Sequence, residues 1–429
     1  MTGQGKSFPD GAGRTRERRL LLCLDGVPHE VIAAAKGRGL FKAFGEPSRL
    51  LSPFPTMTNI ALSCMLNASA PHGYESLYFD RKARELRGGV SKYIGRRTPD
   101  KAPSSYMEKL DYQEPLAFEF LVYVAPEAVW RADMQRFRER FRHAPQDRDF
   151  FAFLKGTDGL LHIRGRKRLE AALESLDRIL TEIHEWCGRE TEIVLFSDHG
   201  MNLQENRRVN LQTHLTHHGY SLTDRLGTRA PQSVAIPAFG LCGYAALYCG
   251  REEDAPALAD TACTLEGVDF ALHRDESDAA VLVKGARGAA RIVREEKASQ
   301  TLYRYEQLTG DPLQLAGVVR SLREENLLDE SGNAPDSAWY ARTAAHIYPD
   351  ALSNLYGALH AVRVGHTADV LLSMQDGYYY GSSFFSRLVR LAATHGNALR
   401  ASTNAFLMST HRAFPLHVRA SEARPYLQG

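Results

Sequence analysis

The chain lacks several features that would mark a specialised class of protein. It has no apolar run long enough to cross a membrane, no internal repeat and no low-complexity tract. Its charges nearly cancel, because 53 Lys and Arg stand against 51 Asp and Glu and leave a net charge of +2. This balance gives no reason to expect nucleic acid or an anionic membrane as the main partner.

Cysteine is scarce, with six in 429 residues and no Cys-x-x-Cys pair. Several cysteines stand in apolar surroundings, as Cys23 does between two leucines, so buried free thiols are favoured over a disulfide framework. The N-terminus has no long apolar stretch, and the run 20–24 is too short for a signal peptide. We therefore expect a cytoplasmic protein in which residues 1–18 form a disordered arm.

The pattern of apolar residues predicts an α/β layered fold with a mainly parallel sheet. Short apolar runs alternate with longer segments of helical periodicity, which is typical of that class. The clearest predicted strands are 20–24, 150–154, 192–196 and 405–409. Residues 74–115 and 250–390 show no such simple pattern, and we interpret them as segments inserted into the core.

Carboxylate and imidazole residues follow three of these strands. Asp25 ends the first, Asp158 and His162 follow the second at a spacing of four, and Asp198-His199 ends the third. Each set alone has a plain structural explanation, such as a helix cap or a surface hydrogen bond. Together they predict a metal centre, because α/β folds place their sites at the carboxyl ends of strands. Mixed carboxylate and imidazole ligands suit zinc, with manganese or iron as alternatives.

Two further residues extend this set. Thr58 stands at the predicted start of a helix, where free N–H groups and the helix dipole favour an anion. A threonine hydroxyl is a poor nucleophile unless a base or a metal activates it. His395 lies in a Thr-His-Gly segment before the last predicted strand, and taken singly it would be read as structural. With the other residues it fits a pair of metals roughly 3.5–4 Å apart that clamps a displacement at phosphorus.

In this order the residues resemble the alkaline phosphatase superfamily, and within it the type I phosphodiesterase/nucleotide pyrophosphatase family, with phosphonoacetate hydrolase a close relation. The matching segments are Leu22-Cys23-Leu24-Asp25-Gly26, Pro55-Thr56-Met57-Thr58-Asn59, Pro71-His72-Gly73, Asp158-Gly159-Leu160-Leu161-His162, Phe196-Ser197-Asp198-His199-Gly200-Met201 and Thr394-His395-Gly396. The resemblance implies a three-layer α/β/α catalytic domain over residues 19–429. Its central sheet would be mainly parallel, with cap or substrate segments inserted at 74–115 and 250–390.

The resemblance also implies a hydrolase of phosphoric esters that uses two divalent metal ions. The ligands would form two sets, Asp25, Thr58, Asp198 and His199 for one ion and Asp158, His162 and His395 for the other. Thr58 would attack phosphorus and form a covalent phosphothreonine, while Asn59 would hold a phosphoryl oxygen. The expected substrate is a small-molecule phosphoester and not a nucleic acid polymer.

The chain departs from the family pattern directly after the nucleophile. It has Asn59-Ile60-Ala61-Leu62 where many nucleotide pyrophosphatases have Phe-Pro-Asn-His. An asparagine directly after the nucleophile, as Asn59 is, is closer to the phosphonoacetate hydrolase pattern. The Cys-x-Pro-x-Arg signature of sulfatases is absent. Phosphonate hydrolysis, phosphomonoester hydrolysis, phosphoryl transfer of the phosphoglycerate mutase kind and an inactive metal-binding relative stay open as alternatives.

Four other histidines are further candidates for metal ligands. His214, His217 and His218 come soon after the Asp-His signature, but their segment resembles a structural helix that ends at Gly219. We interpret them as surface or packing residues. His366 is also interpreted as structural, and it is the fallback ligand if His395 does not reach the centre.

Overall fold

The computed structural model describes residues 18–89, 104–115, 121–122, 124–188, 190–227, 231–275, 280–388 and 390–427. The strands within them are β1 (Arg19–Leu24), β2 (Ser48–Leu51), β3 (Leu77–Asp80), β4 (Glu85–Gly88), β5 (Tyr112–Gln113), β6 (Phe150–Leu154), β7 (Glu192–Ser197), β8 (Arg207–Arg208), β9 (Ser221–Leu222), β10 (Ser233–Ala235), β11 (Leu241–Cys242), β12 (Tyr244–Cys249), β13 (Val268–Arg274), β14 (Ala280–Gly285), β15 (Gly288–Lys297), β16 (Gln300–Gly310), β17 (Ala334–Pro335), β18 (Val370–Met374), β19 (Tyr378–Gly381), β20 (Asn404–Ser409) and β21 (His417–Arg419).

The α-helices of the same residues are α1 (His29–Gly37), α2 (Thr58–Met65), α3 (Pro126–His143), α4 (Gly156–Arg164), α5 (Arg166–Cys187), α6 (Leu211–His217), α7 (Ala255–Cys263), α8 (Ala316–Glu324), α9 (Asp336–Thr343), α10 (Ala351–Ala358), α11 (Ser383–Leu388), α12 (Arg400–Thr403) and α13 (Arg424–Leu427). Short 3₁₀ turns span Tyr106–Lys109, Glu252–Asp254 and Ala420–Glu422. Of the predicted N-terminal arm, residues 1–17 lie outside the described residues, and Arg18 is buried with its guanidinium 4.2 Å from the centre of the Phe141 ring.

The central sheet has the strand order β21-β2-β20-β7-β1-β6-β5. The pairs β7–β1, β1–β6, β6–β5 and β2–β21 are parallel, and β20 alone runs against its two neighbours. The predicted α/β fold with a mainly parallel central sheet is therefore confirmed. The four strands predicted most clearly are β1, β6, β7 and β20, and all four lie in this sheet.

Helices cover both faces of the central sheet. Along β1, Leu20 and Leu22 pack with residues of α1, α3 and α5 on one face. Leu21 and Cys23 pack on the other face with residues of α2 and of the C-terminal segment. Because neither face meets water, the strand is apolar from Leu20 to Leu24 and lacks the alternation of a half-exposed strand. Helix, sheet and helix thus form three layers.

A second sheet has the strand order β17-β16-β15-β14-β13-β18-β12-β10-β9. Its neighbours are antiparallel except for β9 and β10. Along β13, Phe270 and Leu272 pack with α9 and α10 on one side, whereas Ala271 packs with α6 and α7 on the other. Much of the segment 250–390 therefore forms regular antiparallel structure.

Contacts between the two sheets fix the segments that carry chemically active residues. The amide of Gly243, which precedes β12, donates to the carbonyl of His395 over 2.6 Å. The Phe54 amide donates to Asn354 Oδ1 over 2.6 Å, and the Phe54 ring lies 6.3 Å from that of Phe270. The second sheet thus holds the loop before α2 and the segment before β20 against the central sheet.

The six cysteines are free thiols, and Cys23, Cys242 and Cys249 are buried. Among the helices of the described residues, none combines the length and the apolar character needed to cross a lipid bilayer.

Candidate active site

Strand direction brings the predicted residues to one edge of the central sheet. Because β1, β6 and β7 are parallel and Leu24 aligns with both Leu154 and Ser197, the three strands end side by side. Asp25 and Asp198 follow directly, and Asp158 lies in the first turn of α4. The antiparallel strand β20 begins at the same edge, so the segment that precedes it delivers His395 to this point.

Six buried side chains meet there, namely Asp25, Asp158, His162, Asp198, His199 and His395. His199 Nε2 lies 3.4 Å from Asp198 Oδ2 and 3.5 Å from Asp25 Oδ1. His162 Nε2 lies 3.2 Å and His395 Nε2 3.7 Å from Asp158 Oδ1. We call these six residues the metal-site cluster.

Each imidazole of the cluster is oriented by a backbone carbonyl. The Nδ1 atoms of His162, His199 and His395 lie 2.8, 2.9 and 2.7 Å from the carbonyl oxygens of Ala393, Gly200 and Thr56, respectively. An Nδ1–H that donates to a carbonyl leaves the lone pair on Nε2, which is the arrangement of a metal-bound histidine. All three Nε2 atoms face the carboxylates.

The carboxylates are short of partners within the part of the chain that the structure describes. Asp25 Oδ2, Asp158 Oδ1 and Asp198 Oδ2 are buried and accept no hydrogen bond there. Burial, reinforced by the neighbouring Asp198 and Asp158, raises the pKa of Asp25 well above its usual range. Burial also raises the pKa of Asp198 to about 6, although the Gly26 N–H opposes the shift. Without a cation, carboxylates with raised pKa values bind protons, so their charged form is favoured when a cation lies beside them.

The imidazoles behave differently from one another. Burial lowers the pKa of His199 to about 4 and that of His395 to about 3, so both are neutral at physiological pH. For His162 burial acts in the same direction, but the Asp158 carboxylate outweighs it and raises the pKa. Burial alone would raise the pKa of Asp158, yet the surrounding imidazoles lower it. His199 and His395 thus face the carboxylates in the neutral form, which is the form that binds a metal.

The donor atoms fit divalent cations. Ligand atoms of Asp25, Asp198 and His199 all lie within 4.8 Å of one another, and so do those of Asp158, His199 and His395. His162 adjoins the second group through its contact with Asp158. The two groups share His199, so the cluster is continuous.

Thr58 lies at the mouth of this cluster. It is the first residue of α2 and is partly exposed. Its hydroxyl Oγ1 lies 3.3 Å from Asp25 Oδ1 and 3.3 Å from His199 Nε2. The adjacent Asn59 donates from Nδ2 to the carbonyl of Gly73 over 3.1 Å and accepts the Ile60 amide at Oδ1 over 3.0 Å. The sequence-predicted nucleophile and the metal-site cluster are therefore in contact.

Two glycines leave the space that the cluster needs. Gly26 has a φ of +71°, and a Cβ there would lie 3.1 Å from Asp158 Oδ1. Its amide donates to Asp198 Oδ1 over 3.0 Å. A Cβ on Gly200 would lie 2.3 Å from the carbonyl oxygen of Ala401. A larger residue at either position would displace a segment that carries a predicted ligand.

The competing histidines lie elsewhere. His214 Nε2 lies 3.0 Å from the carbonyl of Thr261, which belongs to α7. His217 and His218 are exposed at the end of the same helix. His366 stacks on Tyr78 with ring centres 5.6 Å apart and accepts the Arg81 amide at Nδ1. The late histidine that the structure brings to the cluster is thus His395.

The sequence reasoning missed residues that support the cluster from outside. Thr56 accepts the Gly396 amide at Oγ1 over 2.8 Å, in addition to its carbonyl contact with His395. Thr157 Oγ1 donates to the Asp25 carbonyl over 2.6 Å, and Asn202 exchanges hydrogen bonds with Thr394. Thr56 and Thr157 sit inside the motifs that drew attention, whereas nothing in the sequence around Asn202 signals its role.

A family model described as type I phosphodiesterase / nucleotide pyrophosphatase matches residues 78–396, which is most of the chain. No curated protein sequence gives a significant match to the chain.

Two solved structures illustrate the similarity in three dimensions. Murine ectonucleotide pyrophosphatase/phosphodiesterase 5 is 11% identical with a TM-score of 0.49, over 96% of this chain and 94% of that one. Phosphonoacetate hydrolase from Sinorhizobium meliloti 1021, in complex with phosphonoformate, is 13% identical with a TM-score of 0.49, over 96% of this chain and 95% of that one.

Proposed function

Because the chain belongs to the type I phosphodiesterase / nucleotide pyrophosphatase family, we propose that it hydrolyses small-molecule phosphoric esters with Thr58 as the nucleophile. One observation carries this proposal. The Thr58 hydroxyl lies 3.3 Å from both Asp25 Oδ1 and His199 Nε2, at a helix N-terminus that borders the metal-site cluster.

We assign the ligands to two divalent ions, Asp25, Thr58, Asp198 and His199 to one and Asp158, His162 and His395 to the other. Zinc suits this mixture of carboxylates and neutral imidazoles, and manganese and iron are the alternatives. Divalent ions bound there lower the pKa of a hydroxyl or a water and neutralise charge on phosphoryl oxygens. The unpartnered carboxylate oxygens support two metal sites. The grouping of ligand atoms supports Asp25, Asp198 and His199 as one set and Asp158 with His395 in the other, and His162 is assigned to that second set because it contacts Asp158.

The proposed reaction has two displacements at phosphorus. Thr58 Oγ1 loses its proton to solvent and bonds to phosphorus, while the ester oxygen leaves with its bonding electrons and is protonated by solvent. Water then attacks the phosphothreonine at phosphorus and releases Thr58 with its hydroxyl restored. Splitting hydrolysis in this way lets one pre-positioned hydroxyl replace a free water in the first step.

Asn59 and the start of α2 are proposed to bind the phosphoryl oxygens. An amide nitrogen carries two hydrogens, and Asn59 Nδ2 uses one of them on the Gly73 carbonyl. The second hydrogen is the donor that we assign to the substrate. The backbone amides of the first turn add partial positive charge at the same place.

The decisive experiment replaces Thr58 and follows turnover and metal content together. Thr58→Ala should lower the hydrolysis of an aryl phosphodiester by roughly 10³-fold or more, because the substitution removes the hydroxyl that would attack phosphorus. Thr58→Ser keeps a hydroxyl and should retain part of the activity. The matched control is Thr181→Ala, which removes an exposed threonine hydroxyl of α5. Undiminished turnover in a Thr58→Ala protein that still holds its metals would refute the proposal.

Parallel assays define the substrate class. An aryl phosphodiester, an aryl phosphomonoester and phosphonoacetate would be compared at equal protein and metal concentrations. We expect the diester to have the highest kcat/KM, in keeping with the family. A preference for phosphonoacetate would instead favour phosphonate hydrolysis, the alternative that Asn59 suggests. Mass analysis of acid-quenched protein would test separately for the phosphothreonine intermediate.

A further inference from the structure

A cleft outside the metal-site cluster contains four arginines and has a volume of about 530 Å³. Two of them, Arg207 and Arg208, form β8, while Arg387 lies on α11 and Arg390 just beyond it. We call this the basic cleft. We propose that the basic cleft binds a multiply charged phosphate anion at a position separate from the metal-site cluster.

The local charge of the basic cleft is positive. Two carboxylates face its arginines, because Arg207 pairs with Glu266 over 2.5 Å and Arg390 with Glu205 over 2.6 Å. Arg208 and Arg387 form no salt bridge with any residue that the structure describes. Arg208 Nε donates to the carbonyl of Gly381 over 3.1 Å, which fixes its guanidinium in the cleft wall.

The two existing ion pairs do not block an anion. The side chains of Arg207 and Glu266 are 67% and 75% exposed, and those of Arg390 and Glu205 are 81% and 72% exposed. Ion pairs so exposed contribute little to stability and exchange easily. Arg207 and Arg390 can therefore turn toward a ligand that already contacts Arg208 and Arg387.

The chemistry of the walls suits a phosphate, and the number of arginines favours one that carries several charges. A guanidinium presents parallel N–H groups that match two oxygens of a phosphate, and several guanidiniums favour a ligand with several charges. The volume lies within the range of small-molecule sites and exceeds what one phosphate fills. A diphosphate group fits both conditions.

The basic cleft adjoins the chain segment that leads to His395. The carbonyl of Leu391, in the cleft wall, accepts the Asn206 amide over 3.2 Å. The next residue, Ala392, donates its amide to the carbonyl of His162 over 2.8 Å. A ligand in the cleft would therefore contact a wall that is hydrogen-bonded to His162 through Ala392 and that leads along the chain to His395.

Calorimetric titration of the full chain with methylenediphosphonate tests the proposal. The titration is made after dialysis against EDTA, with circular dichroism to verify the fold, so that bound metals cannot take up the probe. Wild type should bind one equivalent. Arg208→Gln/Arg387→Gln should bind at least roughly tenfold more weakly, since each guanidinium supplies charge-assisted hydrogen bonds. The matched control Arg320→Gln, an exposed arginine of α8, should change the affinity less than about twofold.

The single variant Arg387→Gln guards against misfolding, because Arg387 forms no ion pair with the described residues and is exposed. It should weaken binding by itself. Wild-type affinity in the double variant, an equal loss in Arg320→Gln or no binding to wild type would overturn the proposal.

Kinetics of the metal-loaded chain then distinguish the source of the anion. If the cleft holds a remote phosphate of the substrate, the double variant should raise KM only for esters that carry a second phosphate. If it holds a separate anion, KM should be unchanged for all esters while diphosphonate binding is still lost. The binding assay reads no turnover, so it can succeed or fail independently of the proposed reaction.

Discussion

Buried carboxylates occur in both large sheets, but their surroundings differ. In the antiparallel sheet, Asp269 accepts from Arg287 over 2.8 Å and from the Tyr348 hydroxyl over 2.7 Å. Asp369 accepts from Arg81 over 2.6 Å and from the Cys249 amide over 2.7 Å. At the edge of the parallel sheet, by contrast, three carboxylates each keep an oxygen that no described residue contacts by a hydrogen bond.

This difference separates carboxylates that stabilise the fold from carboxylates that remain available to a ligand. The carboxylates of the antiparallel sheet are satisfied by the chain itself, so they need nothing from outside. Those of the metal-site cluster converge because parallel strands end at one edge, and convergence of like charge is costly without a cation. Four predictions test this contrast, in order of decreasing effect.

Metal removal should affect the cluster far more than the second sheet. Dialysis against EDTA should reduce aryl phosphodiester hydrolysis by roughly 10³-fold or more, since both proposed displacements would depend on charge neutralisation at the cluster. The far-ultraviolet circular dichroism spectrum should change little. Added zinc should restore the rate, and full activity in a chain shown by elemental analysis to be metal-free would contradict the contrast.

Removing a satisfied carboxylate should destabilise the fold. Asp369→Ala removes the acceptor of Arg81 Nη2 and of the Cys249 amide, and we expect a loss of roughly 2–4 kcal/mol in the free energy of unfolding. Urea denaturation measures this loss. The control Asp260→Ala removes a half-exposed partner of Lys284 and should cost less than about 1 kcal/mol.

Neutralising a carboxylate of the metal-site cluster should change the free energy of unfolding in the opposite direction when the chain is metal-free. Asp198→Asn keeps an oxygen for the Gly26 amide but removes a buried charge whose pKa is raised to about 6. At pH 7 we expect a gain of roughly 1–3 kcal/mol in the free energy of unfolding after EDTA treatment. With zinc present the gain should shrink or reverse, because a ligand is lost. Destabilisation of the metal-free variant would show that the buried charge of Asp198 is not unfavourable in the absence of a cation, and would contradict the prediction.

A carboxylate behind the site should give a smaller, pH-dependent effect. Burial raises the pKa of Asp133 from 3.8 to about 7, against the hydrogen bond from the Tyr112 hydroxyl. The folded chain thus binds more protons than the unfolded chain between pH 4 and pH 7, so this contribution to stability falls as pH rises through that window. Asp133→Asn should lack the decline and gain about 1–2 kcal/mol at pH 8 relative to wild type.

Thermal unfolding from pH 5 to pH 8 measures this difference. The control Asp147→Asn replaces an exposed carboxylate and should follow the wild-type pH profile. Parallel profiles for wild type and Asp133→Asn would contradict the prediction.

Four strands of the central sheet could be predicted from the sequence, whereas the strands of the second sheet that lie between residues 250 and 390 could not. The strands β1, β6, β7 and β20 are buried on both faces, so each is a continuous apolar run with a polar residue at its end. Strand β15 mixes buried and exposed positions and ends in a charged, exposed stretch, so its pattern resembles a loop. Its pairing with β16 follows from hydrogen bonds between backbones, which leave no mark in the sequence.

The residues of the sites, too, could be predicted only where they lie close together in the sequence. Asp198 and His199 are adjacent in sequence, and Asp158 and His162 lie one helical turn apart, so local motifs identify them. Asn202 and the basic cleft join residues that are far apart in sequence, and no local pattern connects them.

By itself, the sequence determined which strands are fully buried, which residues follow their ends and which of those residues can bind a metal or attack phosphorus. These properties depend on side-chain chemistry and on short spacings. The family resemblance favoured His395 over His366 and the α6 histidines, but only the tertiary structure brings His395 Nε2 to 3.7 Å from Asp158 Oδ1 and gives the other histidines separate contacts. It did so because strand direction, and not distance along the chain, determines which loops meet at one edge of a sheet.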